Sequence, residues 1–169
     1  MEYRMPLLHL IFWRLTMLNI SYKTKPFAHQ IEALERSIDK TEHALFMEMG
    51  TGKSKVLIDT IAYLYSQGKI DGAAIVAPKG VYRTWYNIDK KFNKYGEIPT
   101  HMPDYIDYYA AYWASYKTQE RIKALNALFT QPDKLHILVM NIDALSTKNG
   151  SEFLAKFLRC HTALLCVDE

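Results

Sequence analysis

Cysteine is scarce in this sequence, and its scarcity excludes several classes of protein. The chain of 169 residues has two cysteines, Cys160 and Cys166, and six histidines scattered along it. Neither residue type shows the close spacing of a zinc site, and two cysteines are too few for a disulfide framework. We therefore interpret both cysteines as buried thiols of an intracellular, cytoplasmic protein in a reducing compartment.

The sequence also lacks a hydrophobic run long enough to cross a membrane. Its most apolar stretch, residues 1–20, is interrupted by His9 and Arg14, whereas a membrane-spanning helix needs about 18 apolar residues in succession. The stretch has neither the basic start nor the small-residue cleavage site of a signal peptide. We interpret it as an apolar N-terminal extension, with membrane anchoring as the less favoured alternative. Met17 offers an alternative start of translation, which would make the residues before it a leader.

A strong excess of charge of either sign is missing as well. The net charge is +3, which is mildly basic and unlike the balance of a dedicated nucleic-acid-binding arm. Hydrophobic residues make up 49% of the chain. At this length, that supports one domain with a sizeable core but not two. We therefore expect a single domain over residues 21–169.

Glycine is sparse too, yet two of the seven glycines fall in one segment, Gly50-Thr51-Gly52-Lys53-Ser54. An apolar run precedes this segment and a helix-like pattern follows it, which is the layout of a phosphate-binding P-loop. Gly50 and Gly52 allow backbone conformations that turn successive N–H groups toward phosphate oxygens. Lys53 can place its ammonium on the β- and γ-phosphates of a nucleotide, and the Ser54 hydroxyl can bind Mg²⁺. The alternative is an ordinary glycine-rich turn followed by a capped helix.

Short apolar runs alternate with helical patterns along the rest of the chain. The runs predict strands at residues 44–48, 73–78, within 105–116, 136–141 and 163–167. The periodic segments predict helices at residues 25–38, 56–66, 79–91, 118–129 and 151–158, with a long loop at 92–104. Continuous apolar strands separated by helices are typical of a parallel sheet covered on both faces. We therefore expect an α/β fold with three layers and a mainly parallel sheet.

The last predicted strand leads directly into Asp168 and Glu169. An aspartate at the end of a strand near a P-loop can hold the Mg²⁺ that bridges the phosphates. A following glutamate can orient or deprotonate the attacking water. By itself, such a pair is more typical of a solvated chain end. Its position about 115 residues after the P-loop, with two further strand–helix units between, favours the catalytic interpretation.

Several segments, taken in order, resemble superfamily 2 helicases. Gln30, the P-loop, the Ala-Pro-Lys of residues 77–79 and the Val-Asp-Glu of residues 167–169 have the order and rough spacing of that superfamily. Residues 48–54 are most similar to the Swi2/Snf2-type branch, particularly its phage-encoded members, although that branch commonly has aspartate where Met47 stands. Trp85 and residues 139–145 extend the resemblance, which covers about residues 25–169.

This resemblance implies both a function and individual roles. The chain would be the first RecA-like lobe of an ATP-dependent DNA helicase or translocase of a bacterium or a phage-infected host. It would use ATP and Mg²⁺ as cofactors and DNA, contacted through its backbone, as partner. Gln30 would recognise the adenine edge, although residues 27–29 depart from the usual basic and aromatic residues before it. Lys79 and Arg83 would contact DNA phosphates, with a solvated helix face as the alternative for their basic stretch.

The same resemblance implies a second RecA-like lobe, which would supply an arginine finger to the ATP site. The sequence contains no such lobe, so we expect the chain alone to bind nucleotide and to hydrolyse it poorly. The alternatives are a non-hydrolysing nucleotide- or DNA-binding regulatory module and a small P-loop kinase, which would need an arginine-bearing lid after the acidic strand. Tyrosines crowd residues 105–116; we favour core packing for them over base stacking.

Overall fold

A four-stranded sheet that is apolar on both faces lies at the centre of the protein. The computed structural model describes residues 20–89, 94–113 and 118–168. The sheet consists of β1 (Gly72–Ala77), β4 (Tyr108–Tyr112), β5 (Leu135–Asn141) and β6 (Ala163–Val167), in the order β4-β5-β1-β6. All three pairings are parallel, and Gly72 of β1 lies between His136 of β5 and Ala163 of β6. The predicted parallel sheet is therefore confirmed.

Helices cover both faces of this sheet, so the predicted three-layer α/β fold is also confirmed. The helices are α1 (Ala28–Ser37), α2 (Lys53–Ser66), α3 (Tyr82–Trp85), α4 (Glu97–His101), α5 (Gln119–Ala127) and α6 (Lys148–Cys160), with a 3₁₀ helix at Ile142–Ser146. On one face, α2, α3 and α4 pack on residues such as Ile75 of β1. On the other face, α5 and α6 pack on residues such as Val76. Because successive side chains of a strand point to opposite faces, β1 contributes to both cores.

The segment before the P-loop corrects one prediction. Residues 44–48 form no strand, although their apolar run predicted one. The side chain of Phe46 is 96% exposed, and the N–H of Met47 donates to Leu45 O at 3.1 Å rather than to a neighbouring strand. The segment lies across a cavity from β6 instead of pairing with it. A strand needs hydrogen bonds to a neighbouring strand as well as a suitable pattern, and residues 44–48 form none with β6, the edge strand across the cavity.

Two helix predictions are also corrected. The first helix begins at Ala28, and Phe27 at its N-cap is 69% exposed rather than part of the apolar face. Residues 79–91 do not form one helix: α3 has four residues and is followed by a ribbon of β2 (Ile88–Asp89) and β3 (Lys94–Tyr95). Gly96 allows this ribbon to lie close to α3, because a Cβ there would be 2.7 Å from Thr84 O and 3.0 Å from Trp85 O. The predicted loop at 92–104 contains α4.

The remaining predicted helices, at residues 56–66, 118–129 and 151–158, are confirmed as α2, α5 and α6. Cys166 is buried and burial raises its pKa to about 12, but Cys160 is exposed, so the prediction of two buried thiols was wrong for Cys160. The extension at residues 1–20 lies outside the described residues except for Ile20. Within the part of the chain that the structure describes, no helix is long and apolar enough to cross a membrane.

Candidate nucleotide-binding site

The P-loop and the acidic strand end meet at one edge of the sheet. Strands β1 and β6 run parallel, so the carboxyl end of each lies at the edge where α2 begins. A cavity of about 560 Å³ extends from this edge along α2 and β6 as far as Leu64. Its walls include Lys53, Ser54 and Asp168, but not the other predicted nucleotide-binding residues, Gln30 and residues 50–52. This volume is within the range of about 300–1,000 Å³ that small-molecule sites occupy. The structure therefore brings together three of the residues that the sequence predicted for one site.

Both P-loop glycines have the backbone conformation that their residue type permits. The φ angles of Gly50 and Gly52 are +75° and +87°, in the left-handed region that other residues adopt only with strain. At Gly52 space is limiting as well, since a Cβ would lie 2.2 Å from Nε2 of Gln30. Between the two glycines, the Thr51 hydroxyl donates to Glu48 O at 2.7 Å and closes the turn. The loop is thus fixed by its own hydrogen bonds before any ligand binds.

Lys53 and Ser54 are the first two residues of α2, where the helix macrodipole is positive. Gly52 at the N-cap offers no side chain to cap the free N–H groups of the first turn, which leaves them available to an anion. The ammonium of Lys53 donates to Met47 O at 2.9 Å, so its side chain extends back across the loop. Positive charge and backbone donors therefore converge on the mouth of the loop.

The side chain of Gln30 packs against the P-loop and forms a hydrogen bond with it. Its side chain is 5% exposed; Nε2 donates to Thr51 O at 2.9 Å, and Oε1 accepts from the backbone N–H of Phe27 at 3.0 Å. His29 also reaches Thr51 O, at 3.0 Å, and its ring stacks on Phe27. Gln30 therefore links the start of α1 to the P-loop. Its predicted contact with adenine stays a prediction, and the residue has a structural role that the sequence did not reveal.

Asp168 is fixed by two hydrogen bonds, one made by its backbone N–H and one by its side-chain carboxylate. Its backbone N–H donates to Val76 O at 2.8 Å, which continues the pairing of β6 with β1 by one residue. Its carboxylate oxygen Oδ2 accepts from the indole Nε1 of Trp85 at 2.9 Å. Burial raises the pKa of the Glu97 carboxyl, and the nearby negative charge of Asp168 adds a smaller rise. The neighbourhood of Asp168 is thus acidic and suits a cation.

The donor set at this edge fits Mg²⁺ held together with a nucleotide. Ser54 offers a hydroxyl and Asp168 a carboxylate, and both residues belong to the walls of the same cavity. Mg²⁺ usually takes one or two protein oxygens and completes its shell with water and substrate phosphates. Among the described residues, no group of three or more His, Cys, Asp or Glu side chains could hold a metal ion. Two oxygen donors beside a P-loop are what a phosphate-bound Mg²⁺ requires.

The predicted DNA-contacting residues lie at the same edge of the sheet but outside the cavity. Lys79 follows β1 and is exposed, and exposed Arg83 on α3 donates through Nε to the Tyr82 hydroxyl at 3.1 Å. Part of their basic stretch, residues 90–93, lies outside the described residues, as does Glu169. The predicted core packing of the tyrosines is confirmed for Tyr108 and Tyr112, which pack against one core cluster, and is wrong for Tyr105, which is 54% exposed. The role of Lys79 and Arg83 in DNA binding stays a prediction.

Sequence reasoning missed two features of the site. Trp85 was a marker of family resemblance, yet it binds Asp168 across 83 positions of sequence. Lys55 and Asp59, one turn into α2, form a buried ion pair at 2.7 Å beneath the P-loop. The i,i+4 spacing of Lys55 and Asp59 was a signal that could have indicated their ion pair. No local pattern could have indicated the hydrogen bond from Trp85 to Asp168.

Comparison with known proteins agrees with this geometry. The family model described as Type III restriction enzyme, res subunit, matches residues 23–169. The search of curated proteins gave no match. The matched region contains both the P-loop and Asp168 and extends over most of the chain. The chain therefore belongs to the Type III restriction enzyme res subunit family, and it carries a superfamily 2 helicase-like ATP-binding domain.

Proposed function

We propose that this domain is the ATP-binding lobe of a DNA helicase or translocase of the Swi2/Snf2-like, phage-type branch, coupling ATP binding and hydrolysis to movement on DNA. The observation that supports this most directly is the convergence of Lys53, Ser54 and Asp168 on one cavity. Lys53 and Ser54 are neighbours in the P-loop, whereas Asp168 comes from a segment far along the chain, which the parallel pairing of β6 with β1 places beside them. Each has the chemistry that a Mg-nucleotide needs at that place.

The chain's own residues divide the work of binding. The N–H groups of the loop and of the first turn of α2 would donate to phosphate oxygens, with Gly50 and Gly52 setting their direction. Lys53 would exchange its bond to Met47 O for one to the β- and γ-phosphates. Ser54 and Asp168 would hold Mg²⁺ between them. When bound, Mg²⁺ supplies positive charge to the transferred phosphoryl group.

Hydrolysis needs two further groups that we propose on the resemblance alone. Glu169 would orient the attacking water, since it directly follows Asp168. Among the residues that the structure describes, the cavity walls include two lysines, Lys40 and Lys53, and no arginine. An arginine that stabilises charge on the transferred group would come from a second RecA-like lobe and is worth about 10³–10⁵ in rate. The chain alone is therefore expected to bind nucleotide and to turn it over slowly.

Titration with a fluorescent ATP analogue in the presence of Mg²⁺ tests the nucleotide site. The variant Lys53→Ala should lose binding, because it removes the one P-loop side chain that can place positive charge on the phosphates. Lys123→Ala is the matched control, since it removes an exposed lysine from α5 on the opposite face of the sheet. Equal affinity in Lys53→Ala and the wild type would refute the P-loop assignment.

Salt-dependent DNA binding tests the second half of the proposal. Neutralising Lys79 and Arg83 together should weaken binding to duplex DNA and reduce the slope of log K against log salt by about two, one for each phosphate that the variant no longer neutralises. The pair Lys123→Ala and Arg159→Ala removes the same charges from exposed positions on α5 and α6 and should leave the slope unchanged. An unaltered slope in the first variant would assign Lys79 and Arg83 to a solvated surface.

ATP turnover with and without duplex DNA separates the motor from the regulatory module. A motor lobe is expected to show weak turnover that rises when DNA and the second lobe are supplied. A regulatory module would bind ATP and DNA with no turnover under any of these conditions. The measurement is phosphate release under excess ATP, with Lys53→Ala as the blank.

A further inference from the structure

Within the part of the chain that the structure describes, the side chain that donates to the carboxylate of Asp168 is that of Trp85. Trp85 Nε1 donates to Asp168 Oδ2 at 2.9 Å, and Trp85 and Asp168 are both part of the cavity wall. We infer that Trp85 is a positioning residue for Asp168, because its indole N–H fixes the orientation of the carboxylate in the cavity that Ser54 also lines. This inference rests on the proposed function, because it assumes that Asp168 takes part in binding Mg-nucleotide.

Trp85 is itself held rigidly enough for this role. Its side chain is 1% exposed and packs in the core cluster that contains Ile98 of α4 and Met102 at the C-cap of that helix. Behind its backbone, Gly96 approaches so closely that a Cβ there would lie 3.0 Å from Trp85 O. At the start of α3, the N–H groups of residues 81 and 82 both donate to Pro78 O, which anchors the helix to the end of β1. These contacts fix the position of the indole ring and therefore the direction of its N–H.

The chemistry of indole suits a carboxylate that must also bind a cation. Indole has one N–H and no charge, so it can occupy one oxygen of Asp168 and leave the negative charge intact. Lysine or arginine at the same place would neutralise that charge and compete with the metal. A second carboxyl group, that of Glu97, lies near Asp168. Its pKa is raised by burial and by the charge of Asp168, so the two acidic groups repel each other when both are ionised.

The test measures how much Mg²⁺ improves nucleotide binding. The dissociation constant of a fluorescent ADP analogue is determined with Mg²⁺ and with EDTA. The value in EDTA divided by the value in Mg²⁺ is then compared between variants. Trp85→Phe keeps an aromatic ring but removes the N–H, so the ratio should fall by about tenfold, as expected for loss of a hydrogen bond to a charged group. Its affinity in EDTA should stay within about twofold of wild type. A tryptophan with a structural role alone would change both constants together or neither.

Two controls connect the effect to Asp168. Trp113→Phe alters a buried tryptophan in the core of the opposite face, against Phe153, and should leave the ratio unchanged. In an Asp168→Asn background, Trp85→Phe should have no additional effect on the ratio, because the carboxylate that it positions is already gone. An additional effect in the double variant would overturn the inference.

A measurement without metal or nucleotide covers the case in which Trp85→Phe does not fold. In the ¹⁵N-labelled chain, Asp168→Asn should shift the indole N–H resonance of Trp85 and leave that of Trp113 in place. An unmoved Trp85 resonance would overturn the inference. If the wild type binds no nucleotide, the proposed function fails and the inference fails with it. If the wild type binds with strong Mg²⁺ dependence and folded Trp85→Phe does the same, the inference alone fails.

Discussion

The ion pair between Lys55 and Asp59 offers a quantitative test of the packing beneath the P-loop. The two side chains are 6% and 2% exposed, and Lys55 Nζ lies 2.7 Å from Asp59 Oδ2. Lys55 also lies over the ring of Tyr22, 5.3 Å from its centre. Burial raises the pKa of Asp59 to about 6, although the hydrogen bond and the charge of Lys55 act in the opposite direction. The attraction between Lys55 and Asp59 therefore does not fully offset the free-energy cost of burying the Asp59 carboxylate.

The perturbation is Lys55→Met, which keeps the length of the side chain and removes its charge. Asp59 would then be buried without a cation, and breaking a buried pair in this way costs about 3–5 kcal/mol. For a domain of this size, 1 kcal/mol lowers Tm by about 2–4 °C, so we expect a fall of about 6–20 °C. Replacing both residues, with Lys55→Met and Asp59→Leu together, should restore most of the stability, since no unpaired charge remains buried.

The effect should depend on pH with a definite sign. The pKa of Asp59 is about 6 in the folded chain against 3.8 in the unfolded chain. The folded state therefore holds a proton that the unfolded state has lost, and stability falls by about 3 kcal/mol as pH rises from about 4 through 6. Without Lys55 the pKa of Asp59 rises further. The destabilisation by Lys55→Met should therefore be large near pH 8 and small near pH 5, where Asp59 is mostly protonated in both proteins.

Urea unfolding at the two pH values measures this. The control is Arg36→Met, which breaks the i,i+4 pair of Arg36 with Glu32 on the surface of α1. An exposed pair of that kind contributes about 0.3–0.5 kcal/mol and depends little on pH over this range. The reasoning is refuted if Lys55→Met costs no more than Arg36→Met. A cost that is equal at both pH values would also refute it.

Three further predictions follow from the described contacts. Gly52→Ala should lower Tm more than Gly50→Ala: both φ angles are positive, but only at Gly52 does a Cβ meet another side chain; equal decreases by thermal melting would contradict this. In the native chain, a thiol reagent should label exposed Cys160 and spare buried Cys166, whose pKa is raised to about 12, until denaturant is added. Phe46→Ser should change the free energy of unfolding by less than about 0.5 kcal/mol, because that side chain is 96% exposed; a larger decrease in urea would show that the ring is packed in solution.

The sequence predicted those parts of the fold in which local pattern and burial agree. Strands such as β1 and β5 are buried on both faces and therefore read as continuous apolar runs. The P-loop was also predictable, because its glycines, lysine and serine act within five consecutive positions. Residues 44–48 show where a local pattern is insufficient. Their apolar run is typical of a strand, but forming one depends on a partner that is distant in sequence.

The contacts around the site were less predictable for a related reason. The helix expected at residues 79–91 ends after Trp85, where Gly96 packs against the backbone of α3. The bond from Trp85 to Asp168 then depends on how α3 lies over the end of β6. Gln30 likewise was predicted from its position in a motif, whereas its side chain is occupied by Thr51 and Phe27. Each of these contacts depends on how separate helices and strands pack together, and no hydrophobic periodicity in the sequence indicates it.

Strand β6 is the last strand of the described sheet, and this has a thermodynamic consequence. It pairs with β1 on one side only, and the side chains of Leu165 and Val167 are 47% and 68% exposed. An open edge of this kind can accept a further strand from any polypeptide. Such a strand would lie beside Asp168, which directly follows β6. Where the added strand belongs to a second copy of the chain and alters the site, strand addition and Mg-nucleotide binding are linked equilibria, so that the apparent affinity for nucleotide depends on protein concentration.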